Sequence, residues 1–167
     1  MTPLWLMRAL LAATFIWSLL ALAVIDLDTQ LLPDSITIPL LWLGLGCALF
    51  GLSNVDLRAA VIGAMAGYGS LWSIYWVFKL VTGKEGMGYG DLKLLAAVGA
   101  WLGWQNLPAV ILLSSAIGAV VGITLIATGL VRRSEPIPFG PFLAAAGVVA
   151  LLYSDRLAGI LNGAAVL

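Results

Sequence analysis

The sequence predicts an all-α, polytopic membrane bundle of about six helices. Three observations carry this: 62% of the 167 residues are hydrophobic, only 10% are charged, and the apolar residues fall in near-continuous runs. A soluble domain carries roughly 25% charged residues, and a mean hydropathy of +1.10 places this chain in lipid. A bilayer offers backbone amides no partners, so spanning segments are helices or a closed barrel. The runs lack the alternation of barrel strands, which leaves helices.

The apolar segments cover residues 3–25, 35–52, 57–80, 92–104, 107–131 and 139–153, with a weaker apolar tail to Leu167. Several match the roughly 20 residues that cross a hydrocarbon core of about 30 Å. The fourth and sixth are short. At about 13 residues the fourth spans only some 20 Å, so it is expected either to cross or to be re-entrant or recessed. Arg8 followed by an apolar stretch ending in Ala21-Leu22-Ala23 has some features of a secretory signal. Its length, and the spans that follow, favour a first membrane helix. With no repeat, low-complexity region or soluble linker, residues 1–167 form a single membrane domain.

Three glycine pairs at four-residue spacing, Gly63/Gly67, Gly99/Gly103 and Gly118/Gly122, suit close helix approach within one bundle. Trp5, Trp72, Trp76, Trp101 and Trp104 fall toward segment ends, as interfacial aromatics do. If every segment crosses, Lys79, Lys84, Lys93, Arg132 and Arg133 collect on one side and Arg8, Arg58 and Arg156 on the other. Positive charge then makes the first side cytoplasmic.

Composition also restricts the chemistry. Eight basic and eight acidic residues cancel, which argues against a nucleic-acid partner. Cys47 is the sole cysteine, so neither an internal disulfide nor a multi-thiolate metal site is open to it. Histidine is absent, and with it the commonest base and metal ligand. Catalysis would have to use carboxylates or lysines.

Carboxylates at membrane boundaries are costly and are read as functional unless a cap or exposed loop explains them. Asp56 and Asp34 look like N-caps of the third and second helices, and Glu135 and Asp155 sit in polar connections beside arginines. Asp26, Asp28, Glu85 and Asp91 remain. Asp26 ends a long apolar run and Asp91 begins one, with two crossings between them, so both return to one face. There they could share a proton, one acting as base on a water and the other as acid on a carbonyl. Asp28 would be turned about 200° from Asp26 on a continued helix, toward water or a loop partner. Gly86, Gly88 and Gly90 suit a flexible or tightly turned approach of backbone to a substrate strand, although such glycines also occur in ordinary connections.

At these residues the chain resembles the type IV prepilin peptidases. The first hallmark reads Asp26-Leu27-Asp28-Thr29-Gln30-Leu31-Leu32-Pro33-Asp34, and the second, Gly-x-Gly-Asp, reads Gly88-Tyr89-Gly90-Asp91 followed by Leu92-Lys93-Leu94-Leu95. Similarity continues through residues 79–86 and through Pro136-Ile137-Pro138-Phe139-Gly140-Pro141-Phe142. The resemblance implies a non-pepsin-like aspartic peptidase of the bacterial inner membrane, with Asp26 and Asp91 as the catalytic pair and no metal or other cofactor. Its implied substrates are prepilins or type II secretion pseudopilins, whose short basic leader is cut at the cytoplasmic face. Gly88, Gly90, Lys84, Glu85 and Lys93 would contact substrate or support the site, local charge pairing being the alternative for the charged three. The Pro-Phe-Gly-Pro stretch is expected to be a helix-entry packing element.

Longer members carry further helices and a zinc-binding segment with paired cysteines, and many methylate the new N-terminus. Those cysteines are missing here. The chain therefore corresponds to the peptidase core, as a short form or a truncated piece, and methyltransfer from S-adenosylmethionine is not expected of it. Two rival readings are a catalytically incomplete core that binds prepilins and a proton- or cation-coupled transporter. Membrane lipid is the other expected partner, and the oligomeric state is left open.

Overall fold

Each apolar run becomes a helix in the computed structural model, which describes residues 4–83, 86–130 and 137–163, with side chains as far as Tyr153. In order these are α1 (Leu4–Thr29), α2 (Asp34–Leu49), α3 (Leu57–Thr82), α4 (Tyr89–Leu102), a 3-10 turn (Trp104–Asn106), α5 (Leu107–Ala127) and α6 (Gly140–Gly163). No strand occurs among the described residues. Three helical stretches, Leu4–Thr29, Leu57–Thr82 and Trp104–Ala127, are long and apolar enough to cross a membrane. The chain is an integral membrane protein of all-α class.

The short fourth segment is the centre of the molecule. Asp91, Leu92 and all residues from Leu94 to Leu102 are buried, and α2, α3 and α6 pack around them. A helix enclosed by protein has no lipid contact to satisfy, which explains how 14 residues suffice here.

Small residues let its neighbours approach. Gly63 and Gly99 face one another, and a Cβ on either would run into the other's carbonyl. Four residues along, a Cβ on Gly67 would lie 2.5 Å from the Leu95 carbonyl oxygen, so α3 and α4 run antiparallel with backbones in contact. On α2, Gly44 leaves room for the Trp101 ring, whose Nε1 donates to the Leu40 carbonyl at 2.8 Å. The same ring packs on Phe15 of α1 with centroids 4.8 Å apart. Trp101 is thus a core residue, not the interfacial aromatic expected from its place near a segment end; its indole N–H is satisfied inside. Gly118 and Gly122 of α5 face Phe142 and Ile137. Gly103 differs from its paired Gly99: at φ 77° it ends α4 rather than packing a helix face.

Helix ends follow local rules with one correction. The Asp56 carboxylate accepts from the Ala59 amide at 3.3 Å, as an N-cap should, and Gly83 closes α3 in the left-handed conformation. Asp34 is not the N-cap of α2; Pro33 holds that position, and the Asp34 carboxylate is drawn instead to Lys93.

The buried stripe of α1 is Phe15, Leu19, Leu22 and Asp26. These positions recur at three- and four-residue intervals and so share one face. Leu19 and Val98 of α4 both touch the position of Gly147 on α6, which fixes the level of α1 against α4. From there Asp26 lies seven residues toward the end of α1 and Asp91 seven toward the start of α4. Two turns on each antiparallel helix bring both to one level, about 10 Å further along. Leu71 is the α3 residue at the level of Asp91, and α3 continues to Thr82, so its end overhangs the carboxylates by roughly 16 Å.

Because the atoms facing Gly63 are backbone, they cannot turn aside. Gly63→Ala is expected to lower stability by about 1–3 kcal/mol, while Gly69→Ala, whose added methyl meets open space in the same helix, should be neutral or mildly stabilising. Thermal unfolding of both variants in detergent checks this.

Candidate functional site

Asp26 and Asp91 are the two buried carboxylates of the described chain, only 5% and 6% exposed. They occupy the same end of the bundle, and Asp26 lies within electrostatic range of Asp91. Their helices are not in direct backbone contact; α6 packs against both.

Each acid reaches its place by a different local device. Asp91 stands in the first turn of α4, whose N-cap is Gly88. A helix N-terminus carries partial positive charge, which favours a carboxylate there. Asp26 stands in the last turns of α1, where the helix's own dipole is unfavourable, and takes its donor from elsewhere. The amide of Gly140, first residue of α6, donates to Asp26 Oδ2 at 3.0 Å across 114 residues of sequence. Asp91 Oδ1, by contrast, is buried without a hydrogen-bond partner among the described residues. An unpaired polar atom in such a place is expensive and marks a position where another group is to be met.

Leu32, in the stretch between α1 and α2, is wedged between the two halves. A Cβ on Gly90 would lie 2.7 Å from Leu32 Cβ, and one on Gly140 would lie 3.3 Å from Leu32 Cδ1. Gly90 is therefore glycine because Leu32 of the same chain fills its side-chain space. Neither Gly88 nor Gly90 has a positive φ. Gly88 caps α4 and lies beside the Asp91 carboxyl.

Other residues singled out in the sequence separate clearly. Asp28 is exposed, as its rotation from Asp26 required. Lys93 binds both Asp34 carboxylate oxygens at 2.7 Å, so it displays the charge-pairing alternative. This pair is partly exposed and contributes about 0–1 kcal/mol. Lys84 and Glu85 lie outside the described residues, as do Glu135, Arg132 and Arg133 and the side chains of Asp155 and Arg156. No cluster of three or more histidine, cysteine, aspartate or glutamate side chains suited to a metal occurs among the described residues.

Two contacts of this site are absent from the sequence reading: Leu32 as a wedge and Gly140 as a donor. The only signal was the Pro138-Phe139-Gly140-Pro141 helix entry, whose first amides have no intrahelical partners. Beside the carboxylates the overhanging end of α3 forms an aromatic wall. Tyr75 packs against Tyr89 with ring centroids 5.0 Å apart and planes tilted by 49°, and Lys79 lies over the Tyr75 and Trp76 rings. A separate cavity of about 730 Å³ lies at the opposite end, lined by Arg8, Cys47, Asn54, Trp101, Gln105 and Leu151 among others, far from the paired acids.

A prepilin leader peptidase/N-methyltransferase from Aeromonas salmonicida (strain A449) is 61% identical over 157 residues, covering 94% of this chain and 53% of that protein. Proteins of the same description from Stutzerimonas stutzeri and Pseudomonas aeruginosa are 58% and 56% identical, each over 153 residues, 92% of this chain and 52% of theirs. The chain thus spans about half the length of the curated relatives it matches. No solved structure matches. Residues 13–123 match the type IV leader peptidase family, and the chain belongs to it.

Proposed function

We propose that the chain is a membrane aspartic endopeptidase that removes the short basic leader of prepilins or type II secretion pseudopilins. The observation that carries this is the pairing of two buried carboxylates at one level of the bundle, in a member of the type IV leader peptidase family. The curated relatives are named for prepilin leader cleavage. Their names also include N-methyltransfer; the paired acids supply a basis for hydrolysis only.

The mechanism assigns unequal roles. The Gly140 amide stabilises charge on Asp26, which makes Asp26 the base that takes a proton from water. Asp91, with an unpaired buried oxygen, is the acid that donates to the scissile carbonyl as the water attacks. Collapse of the tetrahedral intermediate breaks the C–N bond: protonated Asp26 gives its proton to the leaving amine, and ionised Asp91 takes one back from the gem-diol as the carboxyl product forms, which restores the starting pair. The apolar surroundings strengthen each of these interactions by lowering the local dielectric.

The active end is assigned to the cytoplasmic face of a bacterial inner membrane. Lys79 and Lys93 stand at the carboxylate end, and the connections carrying Lys84, Arg132 and Arg133 join helices there, while Arg8 and Arg58 stand at the other end. A second reading is a core that binds precursor without cutting it, since a catalytically incomplete relative would keep the same motifs.

The test uses purified protein in detergent with a prepilin substrate, read by gel shift. Wild type is expected to remove the leader; Asp26→Asn and Asp91→Asn should each lose on the order of 10²–10⁴-fold or more in rate. Asp28→Asn, altering an exposed acid, should cleave normally. Cleavage that survives both active-end substitutions ends the two-aspartate reading, and precursor retained uncut by wild type identifies a binding core.

Turnover should also depend on pH in a bell shape, because the competent pair carries one proton. Acid protonates the base and alkali strips the acid, and both limbs belong to the pair jointly. A rate flat across acidic and neutral pH excludes shared-proton chemistry.

A further inference from the structure

We infer that Gly140 is a positioning residue for Asp26: its amide holds one carboxylate oxygen, and its missing side chain is what allows the carboxylate to reach that amide. This rests on the two-aspartate reading and adds to it a residue from a third helix.

The hydrogen bond is buried, 3.0 Å long and joins α1 to the start of α6. First-turn amides of a helix have no partner within it, so this donor is available without breaking any helical bond. The bond is charge-assisted and fixes the direction of Asp26 Oδ2, leaving Oδ1 for the water. A side chain at position 140 cannot coexist with that arrangement. Its Cβ would stand 2.6 Å from Asp26 Oδ2, 3.0 Å from Asp26 Cγ and 3.3 Å from Leu32 Cδ1.

Which neighbour would move is decided by what holds each of them. Leu32 is pinned on its other side, with its Cβ 2.7 Å from the place of a Cβ on Gly90. The Asp26 carboxyl is the free end of a side chain with two torsions and can swing. Gly140 does not have a positive φ, so alanine fits the backbone there and the burden of the added methyl falls on the carboxylate rather than on the fold. Substitution should therefore appear in the chemical step and not in substrate binding or stability.

Two variants test this in the purified, full chain: Gly140→Ala, and replacement of Gly140 by glycolic acid through nonsense suppression, which turns the amide into an ester and deletes only the N–H. Gly69→Ala, at an open position of α3, is the control. With a prepilin peptide substrate, both position-140 variants are expected to lose roughly 10–100-fold in kcat. KM should stay within about twofold, and the unfolding temperature should match the control. Wild-type kcat in both overturns the inference, as does a rate loss that merely tracks loss of folded protein. Should Gly140→Ala fail to fold, the ester decides: reduced kcat in folded ester variant supports positioning, and unchanged kcat refutes it. Asp26→Asn separates the two levels of argument. If it is inactive while both position-140 variants turn over normally, only the positioning role fails; if it is active, the two-aspartate reading fails and takes this inference with it.

Discussion

Two carboxylates are held out of water at one end of an apolar bundle, and the architecture follows from making that tolerable. An isolated charge in a low-dielectric interior is prohibitively costly, so each acid must find donors or share a proton. The fold answers with helix N-termini. Asp91 uses the start of its own helix, and Asp26, placed at the wrong end of α1, uses the start of α6. This explains why α4 begins where it does and why α6 enters on a glycine. It also gives α6 its place against both α1 and α4.

Close packing then sets the geometry. The glycine contacts of α3 with α4 fix one register, and the meeting of Leu19 and Val98 at Gly147 fixes another. Both are steric and act far from the acids, but helices are stiff, so a register set two turns away determines which side chains share a level. Trp101 completes this scaffold by tying α1, α2 and α4 together with one ring and one hydrogen bond. The Asp34–Lys93 pair adds a polar link between α2 and α4 at the acid end.

Much of this was legible in the residues. Continuous apolar runs read directly as six helices, and the order of acids, spans and glycines placed Asp26 and Asp91 on one face, because counting crossings needs no knowledge of packing. Asp28 was also legible, since helical rotation alone turns it outward. The Gly63/Gly67 and Gly118/Gly122 spacings announced close contacts, though not with which partners. What escaped were contacts set by tertiary packing: the Gly140 donor 114 residues from its acceptor, the Leu32 wedge, and the inward turn of Trp101. Asp34 misled because an acid at a helix start resembles a cap, whereas a lysine two residues after Asp91 offered its carboxylate a stronger partner.

The overhang of α3 sets a depth. Between the level of Leu71 and Thr82 lie roughly 16 Å of wall, which carries Tyr75 and Trp76. An extended polypeptide covers that descent in about five residues, whereas a helical one requires about eleven. A helix also keeps its carbonyls engaged with its own amides, so a peptide bond becomes open to attack only once the local coil is unwound. Along that wall the level of the carboxylates is reached by a short, straightened tail far more economically than by the body of a helix.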